Sequence, residues 1–145
     1  IYFKKIAFGL FLCFLVACQS DSSSSANKNT IIGTPAFSFE TTIDSTEMPN
    51  TSIFLTFDDN KIKVAQTHSC LKITPAEYER HDIPADAIDA CGGWWAGAGD
   101  YFYLTLQDEH YQIYQGSVDE MQEAPGYNYQ PIGKLSKTGD YQVLQ

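Results

Sequence analysis

Basic residues are scarce in this chain. Lysine and arginine together number 9 against 18 aspartates and glutamates, Arg80 is the only arginine, and the formal net charge is −9. A protein that binds nucleic acid needs a basic patch that displaces counterions from the phosphates. We therefore expect no nucleic-acid partner. The acidic balance favours solubility or a positively charged partner.

Long apolar runs are missing as well. The longest run, 6–16, has eleven residues, whereas a transmembrane helix needs about 20. The run follows Lys4 and Lys5, and this order of basic and then apolar residues is typical of an export signal. The sequence therefore predicts a signal peptide over residues 1–17 rather than a membrane span.

The common catalytic signatures are also absent from the sequence. It contains neither the G-x-S-x-G elbow of serine hydrolases nor the H-E-x-x-H motif of zinc proteases. A phosphate-binding G-x-x-x-x-G-K-[ST] loop is missing too. The three histidines, His68, His81 and His110, are scattered, and we expect each at the surface or in packing. We therefore expect a non-enzymatic protein without a cofactor or a metal.

A short motif stands directly after the apolar run. Leu15-Val16-Ala17-Cys18 resembles the lipobox of bacterial lipoproteins. The resemblance implies that the Cys18 sulfur receives a diacylglyceryl group and that cleavage makes Cys18 the acylated first residue. Several acyl chains anchor a protein stably, because each buried methylene contributes about 0.8 kcal/mol. Gln19, rather than Asp, follows the cysteine, and the resemblance to Gram-negative lipoproteins then implies sorting to the outer membrane. Which face of the membrane carries the domain stays open.

The rest of the chain divides into a tether and one domain. Residues 18–30 are rich in serine and have little to bury, so we expect a polar tether after the lipidated Cys18. Residues 31–145 then form a single globular domain. Without residues 1–17 the chain keeps 7 basic and all 18 acidic residues, a formal charge of −11. In composition it resembles small lipoproteins of Bacteroidota.

Two cysteines remain in that domain, Cys70 and Cys91. In an exported protein such a pair predicts a disulfide. It would close a loop of about 22 residues, for which the loop-entropy model gives roughly 3 kcal/mol. The alternative is a zinc site with His68 and His81. A structural zinc site needs four such ligands, and the sequence lacks the usual C-x-x-C spacing. The disulfide is therefore the preferred interpretation.

The pattern of the domain indicates β-hairpins. Residues 54–67 and 103–116 align without a gap, and each has β-branched and aromatic residues on both sides of a polar break. Residues 132–145 resemble a third hairpin, with its turn at 137–140, and 36–43 read as another strand. The sequence predicts a mainly β fold: a small antiparallel barrel or sandwich of about seven strands.

The segment between the two similar hairpins has a helical pattern. Thr74-Pro75-Ala76-Glu77 is a capping box, which predicts a short helix from about Pro75 to Arg80. Residues 84–90 can form a further turn or two, ended by Gly92. The Cys70–Cys91 disulfide would then fasten this helical insert to the sheet.

Two segments are the best candidates for a partner site, the glycine-rich loop 92–99 and the acidic loop 119–127. Because neighbouring residues of an extended chain point to opposite faces, we expect one of Trp94 and Trp95 to anchor the core and the other to be partly exposed. The candidate ligand or partner surface comprises Trp94, Trp95, Tyr101, Tyr127, Tyr129, Asp119, Glu120 and Glu123.

Three functions remain open at this point. The first is a lipid-anchored, non-enzymatic binding or structural module of the cell envelope. The second is an inhibitor of a cationic enzyme, because 97–102 resembles the G-x-G-x-x-Y loop of membrane-bound inhibitors of C-type lysozyme, although Tyr101 comes one position early. The third is a carbohydrate-binding module that uses exposed aromatic residues. A cationic protein or a glycan is thus the expected partner.

Overall fold

The computed structural model describes residues 33–43, 49–57, 60–123 and 126–144. The predicted signal peptide, Cys18 and the tether lie outside the described residues. Within the described ranges the chain forms nine strands: β1 (Ala36–Ile43), β2 (Pro49–Phe57), β3 (Asn60–Thr67), β4 (Leu71–Lys72), β5 (Asp89–Trp95), β6 (Ala98–Gln107), β7 (His110–Asp119), β8 (Gln130–Ser136) and β9 (Tyr141–Val143). The prediction of a mainly β fold is confirmed.

The strands form two antiparallel sheets. One has three strands in the order β1-β2-β3, and the other has six in the order β4-β5-β6-β7-β8-β9. Each strand pairs with its neighbours in sequence, so each sheet is a meander. The three predicted hairpins are confirmed as β2–β3, β6–β7 and β8–β9. Nine strands are present rather than about seven, because β4 and β5 occupy part of the segment predicted to be helical.

The two sheets pack face to face as a sandwich around one apolar core. Phe37, Ile53 and Leu55 of the small sheet meet Phe102 and Leu104 of the large sheet, and all five are buried. Along β6 these two residues alternate with Tyr101 and Tyr103, as the period of two in a strand requires. We call the side of the large sheet that meets the small sheet its inner face.

The opposite, outer face of the large sheet has its own cover. Ile73, Tyr78 and Ile83 pack there against Tyr101 and Tyr103. The cover contains two single 3₁₀ turns, Pro75–Glu77 and Glu79–His81. The first begins where the capping box predicted it. The Glu77 carboxylate accepts hydrogen bonds from the Thr74 backbone N–H (3.0 Å) and hydroxyl (2.7 Å), and these bonds lower the pKa of Glu77.

The second predicted helical segment is wrong. Residues 84–88 form a turn and a bend, and β5 already begins at Asp89. Gly92 and Gly93 are therefore strand residues and end no helix. Gly92 serves close packing instead: a Cβ there would lie 2.1 Å from Cδ1 of Tyr101. The missing side chain lets the Tyr101 ring lie close to the backbone of β5.

Two links hold this region to the rest of the sandwich. The predicted disulfide between Cys70 and Cys91 is confirmed and joins the residue before β4 to β5. The buried Asp89 carboxylate accepts hydrogen bonds from the Phe37 backbone N–H (2.8 Å) and from the Lys72 ammonium group (3.0 Å). Because a buried carboxylate is costly without such donors, this pairing fixes β1 against the start of β5.

Candidate ligand cleft

A cleft of about 340 Å³ opens at the end of the sandwich where β3, β5 and β7 finish. Ligand sites typically have volumes of about 300–1,000 Å³, so the cleft suits a small ligand. Its walls come from the segment after β3, the β5–β6 hairpin and the end of β7. The lining residues are Thr67, His68, Ser69, Gly93, Trp95, Ala98, Gly99, Asp100, Ser117, Val118, Asp119 and Gln122.

The β5–β6 hairpin forms one wall. Its turn residues, Ala96 and Gly97, have φ angles of 45° and 86°. A two-residue turn with positive φ at both positions matches the right-handed twist of its strands, and glycine adopts such angles without strain. The Gly97 carbonyl oxygen also accepts a hydrogen bond from the Glu120 backbone N–H (2.9 Å). The hairpin tip is thus fixed to the chain that follows β7.

Asp100 forms the polar floor of the cleft. One of its carboxylate oxygens accepts a hydrogen bond from the Thr67 hydroxyl (3.0 Å), and the other accepts one from the Ser117 hydroxyl (2.9 Å). Thr67 is the last residue of β3, and Asp100 lies at an inner-face position of β6. These contacts hold the carboxylate between the two sheets, where the apolar core ends and the cleft begins.

The opposite wall is a turn that begins at Asp119. Its carboxylate accepts a hydrogen bond from the Met121 backbone N–H (2.9 Å), and its carbonyl oxygen accepts one from the Gln122 N–H (3.2 Å). This turn brings the Gln122 side chain into the lining. Neither Gln122 nor His68 makes a side-chain hydrogen bond or ion pair with another residue in the described part of the chain. Both side chains can therefore bond to a ligand.

The prediction that one tryptophan anchors the core is wrong. Trp94 and Trp95 are each 47% exposed. They do lie on opposite faces of β5, because Trp95 lines the cleft and Trp94 lies against Gly99 on the outer face. The physical reason is that the hairpin extends past the small sheet on the inner face and past the cover on the outer face. Ala98, which pairs with Trp95, is exposed as well.

Three tyrosines of the predicted surface are instead part of the packing on the outer face. The Tyr101 ring lies 5.1 Å from the His81 ring and 4.8 Å from that of Tyr127. Tyr129 packs edge-on against Tyr103 at 4.7 Å, and its hydroxyl donates to the His81 carbonyl oxygen (2.9 Å). Burial raises the pKa of Tyr101 and Tyr127, and it raises that of Tyr129 far above the ordinary range.

Of the three predicted acidic residues, only Asp119 belongs to the cleft lining. Glu120 lies beside Gly97 at the hairpin tip, where its carboxylate would be 2.6 Å from an added Cβ. Glu123 is exposed further along the same loop. The structure thus brings Trp95 and Asp119 together, places Glu120 beside them, and separates them from the tyrosine layer.

Sequence reasoning missed the polar floor of this cleft. Asp100 carried a usable signal, since continuing the alternation of Phe102 and Leu104 backwards along β6 places a carboxylate on the inner face. Thr67, Ser117 and Gln122 carried no comparable signal. Their convergence depends on the packing of the two sheets, which no local pattern encodes.

The described residues contain no cluster of three or more histidine, cysteine, aspartate or glutamate side chains suited to a metal ion. The sulfur atoms of Cys70 and Cys91 are bonded to each other, so neither is a thiolate ligand.

In the described ranges no helix has the length and apolar character needed to cross a membrane.

Comparison of the chain with protein-family models, with curated proteins and with solved structures yields no match.

Proposed function

We propose that this protein is a lipid-anchored component of the cell envelope, held in the outer membrane through Cys18, and that its β domain is a non-catalytic binding module. The lipobox-like sequence supports the anchor. The cleft supports the binding role, and the exposed Trp95 in it is the observation that carries this part of the proposal. A half-exposed tryptophan in a concave site that also contains a few polar groups is typical of ligand binding.

The position of the cleft in the sandwich supports the same proposal. The chain enters the domain at β1, where the Phe37 backbone N–H donates a hydrogen bond to the Asp89 carboxylate at the start of β5. Trp95 lies six residues further along β5, which is about 20 Å at the usual rise of a strand. The cleft therefore opens at the end of the domain opposite to the entry of the chain. A tether ending there presents the cleft away from the membrane.

Metabolic labelling with a palmitate analogue, followed by membrane fractionation, tests the anchor. We expect the wild-type protein to take up the label and to sediment with outer membranes. A Cys18→Ser variant should lose the label and leave the outer-membrane fraction. Cys13→Ser is the matched control and should keep both properties. Labelling that persists in Cys18→Ser, or a wild-type protein without label, would overturn the lipid anchor.

Inhibition of a cationic enzyme is a second candidate, favoured by the charge of the cleft and its rim. Asp119 lines the cleft and Glu120 lies beside it at the hairpin tip, and the lining contains no lysine or arginine among the described residues. Opposite charges speed association and weaken with salt. A pull-down with C-type lysozyme should succeed at low salt and fail for Asp119→Asn. No retention of lysozyme by the wild-type protein at low salt would exclude this candidate.

A further inference from the structure

We infer that the cleft binds a neutral saccharide, with the Trp95 indole stacked on one face of a sugar ring. This inference deepens the binding role proposed above and is independent of the lipid anchor. It rests on three properties of the described lining: its charge, its hydrogen-bonding groups and its one exposed aromatic face.

The charge of the lining disfavours an anionic ligand. Asp100 and Asp119 are acidic, and the lining has no lysine or arginine among the described residues. Phosphates and acidic sugars are bound by such cations or by converging backbone N–H groups. A neutral ligand avoids this repulsion.

The hydrogen bonds of the two carboxylates leave acceptor sites open for the hydroxyl groups of a neutral ligand. Asp100 is already oriented by the Thr67 and Ser117 hydroxyls, and Asp119 by the Met121 backbone N–H. A carboxylate has about four lone-pair sites, so each can still accept a hydrogen bond from a sugar hydroxyl.

The remaining polar groups suit a hydroxyl group, which both donates and accepts hydrogen bonds. An imidazole and a primary amide each contain both a donor and an acceptor, and His68 and Gln122 bring one of each into the lining. A sugar hydroxyl donates one hydrogen bond and accepts others, so it can satisfy such groups in either direction. A simple ammonium group can only donate.

Trp95 supplies the apolar surface. One face of a pyranose ring consists largely of C–H groups, and a flat indole covers such a face while water is excluded. The cleft volume of about 340 Å³ lies at the lower end of the range for ligand pockets, which limits the bound part to one or two rings. Trp94 has the same exposure but lies on the outer face and outside the lining.

Glycan binding by the two tryptophan variants tests this inference. The full chain is purified in a detergent without a sugar headgroup. It is applied to immobilised neutral oligosaccharides, uronic-acid glycans and oligolysine. We expect binding to neutral glycans, an affinity reduced about tenfold or more in Trp95→Ala, and an affinity within about twofold of wild type in Trp94→Ala. Gln122→Ala should also weaken binding. Equal thermal midpoints of the variants establish that the fold is retained.

The outcomes separate this inference from the proposed function. No retention on any neutral glycan, or an equal loss in both tryptophan variants, would overturn it. Retention on oligolysine alone would also overturn it and leave a binding module with a cationic ligand. Neutral-glycan binding together with a failed palmitate label would uphold the inference and remove only the anchor.

Discussion

The two faces of the large sheet are built from the same strands, and yet they are buried by different kinds of structure. On the inner face Phe102, Leu104 and Ile113 meet another sheet and are fully buried. On the outer face Tyr101 and Tyr103 meet a cover of turns and loops. The strands of the small sheet hydrogen-bond to one another, so the face of the large sheet that it covers can be purely apolar. A cover without regular structure leaves backbone groups to be satisfied.

Tyrosine meets both needs of the outer face. Its ring supplies apolar contact area, and its hydroxyl reaches a polar partner at the edge of the layer. Tyr129 shows the principle, because its ring packs on Tyr103 while its hydroxyl donates to the His81 carbonyl oxygen at 2.9 Å. The comparison indicates that the structure packed on a face, more than the strand itself, determines whether phenylalanine or tyrosine suits that face. Trp94 lies beyond the end of the cover and Trp95 beyond the end of the small sheet, and both remain exposed.

The largest expected effect is on the inner face. Phe102 is fully buried between the sheets, so Phe102→Ala removes its contacts and leaves a cavity. We expect a loss of about 3–5 kcal/mol in the free energy of unfolding, measured by urea denaturation. Leu106→Ala on the same strand is the control, because Leu106 is 47% exposed, and it should cost less than about 1 kcal/mol. Similar losses in both variants would contradict the position of the core.

The disulfide gives the next largest effect. It links Cys70 to Cys91 across 21 positions of sequence and constrains the unfolded chain that carries the outer cover. Replacing both cysteines with serine should cost about 3 kcal/mol. Urea denaturation of the double variant measures this loss. Reduction of the wild-type protein should produce a loss of similar size. An unchanged unfolding midpoint under both conditions would refute the stabilising role.

A smaller effect is expected on the outer face. Tyr129→Phe keeps the ring packing but removes the hydrogen bond to the His81 carbonyl oxygen. This should lower the free energy of unfolding by about 1 kcal/mol. Tyr103→Phe is the matched control, since the Tyr103 hydroxyl makes no hydrogen bond with a described residue, and we expect little change. If the control loses as much as Tyr129→Phe, the hydroxyl is not the determining group.

The smallest effect is a pH dependence that arises from His81 on the outer face. Burial and the neighbouring Arg80 lower the pKa of His81 below its ordinary value of 6.5, against the opposing influence of Glu77 and Asp82. The unfolded chain therefore takes up the proton first as the pH falls. The stability from neutral His81 is complete above about pH 6.5 and is lost as the pH falls through the lower pKa of the folded state.

Thermal unfolding between pH 7.5 and pH 5.5 measures this contribution. The melting temperature of the wild-type protein should fall more over this interval than that of His81→Gln. His68→Gln, a change in an exposed histidine of the cleft, is the control for replacing a histidine away from the outer face. Parallel curves for the wild-type protein and His81→Gln would contradict the role of burial.

Most of the fold could be predicted from local sequence. Strand β1 has the predicted bounds, and the turn of the last hairpin contains Gly139 with a φ of 92°. The region 84–95 could not be predicted, because its apolar and small residues suit both a helix and a strand. Pairing with β6 decides the outcome. The register places Gly92 opposite Tyr101 and Cys91 opposite Phe102, and these contacts are distant in sequence.

The candidate site was only partly predictable for the same reason. Alternation along an extended chain correctly placed Trp94 and Trp95 on opposite faces. It could not show that both faces are uncovered there, because that depends on where the small sheet and the tyrosine cover end. The polar floor at Asp100 likewise requires the end of β3 to meet β6 through Thr67.

The indole N–H signals of the two tryptophans give the most direct test of the ligand cleft. The chain contains two tryptophans, so an ¹⁵N–¹H spectrum has two such signals, which the Trp94→Ala and Trp95→Ala variants assign. Titration with the best-bound neutral oligosaccharide should shift the Trp95 signal in a saturable manner and leave the Trp94 signal in place. A saturable shift of the Trp94 signal alone, or no shift of either signal, would contradict the account.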